Sequence, residues 1–261
     1  MTEPDIQSAA KAIWFNWRQS LRIPNLPEHC KPADRAEGYA IQARLTHFWT
    51  QGIIGWKIAA TSRAGQAHIA VDGPLAGRLF KERVLKNNAT ISLSGNLMRV
   101  AEAEFAFRFR RDLGERKQPY SVNEVLDAVE SLHPAIEVPD SRYEDYTVVG
   151  APQLIADNAC ACWFILGAPA ETNWRELDLV GHQVEGYRNG KNVSSGIGAN
   201  VLGDPLVALT WIANELIEFG EGLRAGQVVT TGTCITPIPV TPGDQVRMDF
   251  GALGSVEARF S

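Results

Sequence analysis

Ala101-Glu102-Ala103-Glu104-Phe105-Ala106-Phe107-Arg108-Phe109 alternates strictly between two kinds of side chain. Successive side chains of a β-strand point to opposite faces, so a period of two predicts a strand here. One face carries Ala101, Ala103, Phe105, Phe107 and Phe109 and reads as core. The other carries Glu102, Glu104, Ala106 and Arg108, which sets two carboxylates side by side. The stretch thus predicts a sheet with a packed face and an acidic face.

Outward from it, apolar runs bounded by turns predict further strands at 53–60, 89–93, 135–138, 160–166, 182–188, 192–195, 227–232, 244–250 and 254–260. Asn189-Gly190 is a type I′ hairpin signal, and Pro242-Gly243-Asp244 marks another turn. Helices are expected at three places. Ile6, Ala9, Ala10, Ile13, Trp14 and Trp17 recur at helical spacing over 5–19. Asp34 with Glu37 reads as a capping box opening a second helix that runs to Gly52. Asp204-Pro205 opens a third that Gly220 ends. A further helix is expected over 122–132. The fold class implied is α+β: N-terminal helices, then a rolled mixed sheet, barrel-like, with helices packed outside. The expected division is a helical segment, 1–52, and a β-rich core, 53–261, within what can be a single domain.

Composition narrows the function. The 261 residues are 45% hydrophobic, enough for a full core, and the formal charge of −5 opposes nucleic acid as a partner. No apolar run approaches the ~20 residues of a membrane span. The segment Met1-Thr2-Glu3-Pro4-Asp5 lacks the basic and apolar regions of a signal peptide, so a cytoplasmic location is expected. Cys160 and Cys162 are too close for the usual zinc spacing and read as small core residues of a strand; disulfides are not expected. The five histidines show no ligand spacing.

The acids carry the chemistry. Glu102 and Glu104 can be surface residues of an edge strand with one wet face. They can also share a hard dication such as magnesium, which oxygen-only ligands select. Glu137 stands alone between Ile136 and Val138, and Lys57 alone among Ile53, Ile54, Trp56 and Ile58. Each has a bland reading, a surface ion pair or a lysine snorkelling to water. A desolvated lysine can also move protons. The four together favour a site over four coincidences.

Nearly end to end, the chain resembles the 2-keto-4-pentenoate hydratase and 4-oxalocrotonate decarboxylase family, within the fumarylacetoacetate hydrolase superfamily. The resemblance rests on Gly55-Trp-Lys-Ile with Thr61-Ser62, on Glu102-Ala-Glu104-Phe-Ala-Phe, and on Pro134-Ala-Ile-Glu137 with Asp140-Ser-Arg142. It continues through Asp157-Asn158, Gly196 to Ala199, Leu202-Gly-Asp-Pro-Leu206, Trp211-Ile-Ala-Asn214, Gly226, Thr231-Gly232-Thr233 and Pro242-Gly-Asp244. It implies a metal-dependent lyase of aromatic catabolism. Magnesium or manganese would be held by Glu102, Glu104 and Glu137, and the substrate would be a small 2-hydroxydienoate or 2-oxo acid. Lys57 and Asp72 are then the expected proton-transfer residues, and Thr61, Ser62, Leu75, Arg142, Asp157 and Thr233 the expected substrate contacts.

One departure matters. Where hydratases of this group carry an acid, in a Pro-Asp-Phe-Gly-like stretch, this chain has Pro74-Leu75-Ala76-Gly77. Hydration of 2-hydroxypenta-2,4-dienoate leads on overall resemblance. Decarboxylation of 2-oxohex-3-enedioate follows because of Leu75. A C–C hydrolase, suggested by Glu28-His29, and a non-catalytic homologue are the remaining readings. The resemblance also implies a homo-oligomer, with seven tryptophans as aromatic area for an interface.

Overall fold

The computed structural model describes residues 1–261. Two N-terminal helices, α1 (Glu3–Gln19) and α2 (Arg35–Leu45), precede two sheets. The larger sheet orders β2 (Leu75–Phe80), β1 (Ile53–Ala59), β10 (Val228–Thr233), β5 (Val100–Phe109), β6 (Val129–Val138), β7 (Trp163–Leu166) and β3 (Val84–Lys86), with β11 (Ile238–Pro239) pairing on β5. The smaller orders β4 (Ala89–Ile91), β13 (Ser255–Phe260), β12 (Gln245–Asp249), β8 (Gln183–Arg188) and β9 (Lys191–Ile197). The short helices α3 (Arg63–His68), α4 (Val122–Ala128) and α5 (Ala151–Ala156) and the longer α6 (Pro205–Glu218) complete an α+β fold with a curled mixed sheet, as expected.

The two faces of β5 behave as its alternation requires. Phe105, Phe107 and Phe109 are fully buried, and the Phe105 ring meets Phe250 edge-on at 5.2 Å while Phe107 meets Trp174 at 5.8 Å. The acidic face is not an open wet one, however: Glu102 and Arg108 are half-buried and Ala106 is buried. β5 is central, flanked by β10 and β6, and Glu104 is 0% exposed. The edge-strand reading of this pair fails.

Local signals hold at most termini. Asp34 accepts from Glu37 N, and Asp204 accepts from Leu206 N with Pro205 in the first turn. Glu37 does not close a capping box on Asp34; its carboxylate takes the Ala33 N–H at 2.7 Å and the Met1 ammonium instead. Both residues of the Asn189-Gly190 turn have positive φ, 54° and 77°, as a type I′ turn needs. The helix expected over 122–132 stops at Ala128, and 129–138 is strand β6 paired with β5. Pairing of Leu132 with Phe107 and of Val129 with Phe109 across the two strands decides their state. Helix α2 ends at Leu45, short of the expected Gly52. The strand expected from 160 begins at Trp163, because 158–160 turns through a left-handed bend. Four of the seven tryptophans, Trp17, Trp49, Trp56 and Trp174, are buried, so they serve the core and not a surface for assembly. No helix is long and apolar enough to cross a membrane.

Gly55 fixes the close approach of β1 to β10. Its φ is 155°, and a Cβ there would lie 1.8 Å from the Val228 carbonyl oxygen. Gly55→Ala therefore has to push these core strands apart, at a cost of roughly 3 kcal/mol or more. Thermal unfolding should show a midpoint lowered by several degrees; an unchanged midpoint would refute the packing argument.

A carboxylate cluster at the floor of a cleft

Strand register assembles the acids. Glu102 on β5 stands directly opposite Glu137 on β6, and Glu104 follows one pleat on. One carboxylate oxygen from each of the three lies within 4.8 Å of the others. Lys57, on β1, reaches them from the side: its Nζ is 3.0 Å from Glu137 Oε2 and donates to the Ala159 carbonyl at 3.0 Å. The lysine and Glu137 are both buried. Glu104 Oε2 accepts from the Thr230 hydroxyl and from Gly232 N at 2.8 Å. The β-bulge between Thr230 and Thr233 aims that N–H, and Gly232 has φ 95° with Thr61 packed where a Cβ would sit.

Three carboxyls this close, two buried and one half-buried, cannot all ionise without a cation. Burial raises Glu104 well above the carboxylate range, with Glu137 and then Glu102 adding to the shift. Burial likewise raises Glu137 against the pull of Lys57. Glu102 is pushed up to about 7, by burial first and Glu137 second. Burial alone would lower Lys57, but Glu137, Glu104 and Glu102 outweigh it and hold its ammonium charged.

The cluster fits a divalent cation. Glu104 Oε1 and both oxygens of Glu137 are buried without a hydrogen-bond donor, the Lys57 contact being an ion pair out of hydrogen-bond alignment. The donor set is oxygen only, which suits a hard ion. Three carboxylates, one ammonium and a dication sum to zero charge.

The Glu102 shift gives a pH prediction. In the metal-free chain the folded state binds this proton more tightly than the unfolded one, whose value is near 4.5. Its ionisation therefore costs nothing below that pH, and stability falls as pH rises from there to about 7. Cation binding needs the carboxylates, so affinity climbs as pH rises through that window. Calorimetric titration with manganese should show binding at least about tenfold weaker at pH 6 than at pH 8, with proton release. A pH-independent affinity would contradict a carboxylate site.

Lys57 and Glu102 carry the cluster to the wall of a cleft of about 930 Å³, lined by Lys57 to Gln66, Met98, Glu102, Pro139, Tyr146, Cys160, Asn200 and Thr233 among others. His68 Nε2 and the Tyr146 hydroxyl approach to 3.4 Å across this cleft. Among the expected site residues, Lys57, Glu102, Thr61, Ser62 and Thr233 line it together, with Glu104 and Glu137 in the cluster below.

Four others are placed elsewhere. Leu75 is fully buried in β2 and packs in the core. Asp72 lies outside the cleft wall, in the turn before Gly73. Arg142 and Asp157 form a buried ion pair, with Ser141 Oγ donating to Asp157 at 2.7 Å and Arg142 Nη1 donating to Asp140 O at 2.8 Å. Neither faces the cleft: an arginine just past a strand end resembles a ligand clamp, but this one spends its donors on its own chain. Sequence reasoning missed Thr230, Gly232 and the Ala159 carbonyl as partners of the site. Only Gly232 had a signal, within the Thr231-Gly232-Thr233 stretch. Cys160 lies on the cleft wall, and burial pushes its thiol up to about 12, so it is an inert surface there.

Comparison with known proteins gives the family. The chain is 32% identical over 258 residues to a 2-keto-4-pentenoate hydratase of Dechloromonas aromatica, covering 98% of this chain and 97% of that protein. It is 33% identical to a 2-keto-4-pentenoate hydratase of Paraburkholderia xenovorans, with 100% and 96% covered. A solved structure of 4-oxalocrotonate decarboxylase from Pseudomonas putida, complexed with magnesium and adipate, superposes with a TM-score of 0.90 at 29% identity, covering 100% of this chain and 99% of that one. The profile of the fumarylacetoacetate (FAA) hydrolase C-terminal family matches residues 78–261. With a family match over most of its length and full-length relatives, this chain belongs to the fumarylacetoacetate hydrolase C-terminal family.

Proposed function

We propose that the chain is a divalent-metal-dependent lyase of small 2-oxo acids, adding water to 2-hydroxypenta-2,4-dienoate to give 4-hydroxy-2-oxopentanoate. The observation that carries this is a charged, buried lysine pinned beside three clustered carboxylates, with the lysine and Glu102 on the wall of a cleft. Glu102, Glu104 and Glu137 would hold magnesium or manganese. When bound, the ion supplies Lewis-acid stabilisation for negative charge building on the substrate's C2 oxygen.

The chain's own residues do the rest. Thr61 and Ser62 line the cleft with hydroxyls that suit a carboxylate head, while the Thr233 hydroxyl beside them donates to Ile235 O at 3.0 Å. Lys57 Nζ carries a proton at the cleft wall and can deliver it to the far carbon, C5, while the C2 hydroxyl gives up its own proton to restore the ammonium, so the dienol becomes the conjugated ketone. Water then bonds through oxygen to C4 and its released proton goes to C3, so one water is consumed overall. Tyr146 and His68 narrow the cleft and limit further water.

One observation favours a second reading, decarboxylation of 2-oxohex-3-enedioate. Apart from Glu102, no carboxylate lines the cleft, and Leu75 stands buried where hydratases of the resembling group carry an acid. Losing carbon dioxide breaks the C5–C6 bond and sends the electron pair toward the C2 oxygen, a step that needs no water-activating acid. Incubation with magnesium and each substrate, following dienol absorbance and released carbon dioxide, separates the two. Turnover of neither substrate would overturn the lyase reading.

A further inference from the structure

We infer that Asn158 is a positioning residue: through a left-handed turn it aims the Ala159 carbonyl at Lys57 Nζ and so fixes the ammonium over the carboxylate cluster. The inference rests on Lys57 being the proton-transfer group of the reaction proposed above.

Three consecutive non-glycine residues, Asn158, Ala159 and Cys160, have φ of 57°, 51° and 59°. Left-handed backbone disfavours side chains other than Asn and Gly, and runs of it persist only where the surroundings over-determine them. Here they do. Asn158 Oδ1 accepts from Arg78 N at 2.6 Å, and its Nδ2 donates to Arg78 O at 2.9 Å, so one side chain takes both backbone groups of a β2 residue. Next along β2, Gly77 leaves the space that the turn fills: a Cβ there would lie 2.4 Å from Asn158 O and 3.1 Å from Lys57 Cδ.

The carbonyls of the turn are assigned one by one. Arg142 takes those of Asp157 and Ala161, Ala161 N takes that of Asn158, and Asp140 N takes that of Cys160. The Ala159 carbonyl is left for Lys57. A lysine has four rotatable side-chain bonds, and the carboxylates that attract it are the groups a cation would claim. A neutral acceptor held by rigid backbone keeps the ammonium in place whether or not those acids are engaged. The Arg142–Asp157 pair, expected from the sequence at the substrate, serves the same turn from behind.

The test compares Asn158→Gly with wild type and Lys57→Met. Glycine accepts the left-handed backbone but drops the bridge to Arg78. Expected for Asn158→Gly is a kcat at least tenfold lower on whichever of the two assay substrates wild type turns over. KM and manganese affinity stay within threefold, and the solvent deuterium isotope effect on kcat rises as proton transfer becomes limiting. A kcat within threefold of wild type, or a parallel loss of kcat, KM and manganese affinity, overturns the positioning role. If Asn158→Gly does not fold, Asn158→Asp keeps the acceptor for Arg78 N, loses the donor to Arg78 O, and should show the same pattern at smaller amplitude. An active Lys57→Met, or a wild type that turns over neither substrate, instead overturns the reading of Lys57 beneath it.

Discussion

Glu104→Gln should reduce kcat by at least ~10³-fold, equivalent to about 4 kcal/mol of barrier, while leaving the metal-free fold as stable as wild type or more so. The two halves have one cause. Glu104 Oε2 is already engaged by Thr230 and Gly232, so its free oxygen, Oε1, is what it offers the cluster. An amide offers a weaker, uncharged oxygen and removes one of three carboxyls that repel each other in the absence of a cation. Divalent-cation affinity should fall by two orders of magnitude or more. The rise in unfolding temperature that saturating manganese gives wild type should disappear, since only a ligand that binds the folded state raises it. Differential scanning fluorimetry with and without manganese, beside steady-state rates, checks both. A rate within tenfold of wild type would mean that the reacting centre is elsewhere.

Lys57→Met should give the opposite metal signature with an equally large loss of turnover. Methionine matches the lysine stem but carries no proton and no charge. Removing one partner of a buried ion pair leaves its acids uncompensated, and the metal-free protein should lose about 3–5 kcal/mol. The cluster becomes more negative, so manganese should bind at least as tightly as to wild type and restore much of that stability. Turnover should drop by ~10³-fold or more, the scale of a lost acid–base group together with its charge. Calorimetry and chemical denaturation, each with and without manganese, separate this from Glu104→Gln. Weakened manganese binding in Lys57→Met would show that the lysine holds the site together and is not its proton carrier.

Much of the site was legible because it is written in strand alternation. Glu102 and Glu104 share a face by the period of two, and Glu137 and Lys57 stand out as lone charges in apolar runs; these are local patterns. The exposure of that face was not local. It depended on β10 and β6 pairing along both edges of β5, which makes it a central strand, and β10 lies more than a hundred residues along the chain. Helix α4 was overextended for the same reason: residues 129–132 fit a helical stripe, and only pairing with β5 decides for strand. Arg142 and Asp157 looked functional because charge next to a strand end suggests a ligand, yet burial turned them on each other. The Ala159 carbonyl could not have been read at all, since a backbone oxygen carries no residue signature.

The two faces of β5 have a consequence for how this protein can change. The same parity that sends Phe105 into the core sends Glu104 to the carboxylate cluster, so a shift of pairing by one residue would invert both at once. Insertions or deletions inside this strand cannot retune the chemistry while sparing the architecture. A change of length is compatible with that parity only outside the paired strand, in the segments that connect one strand to the next.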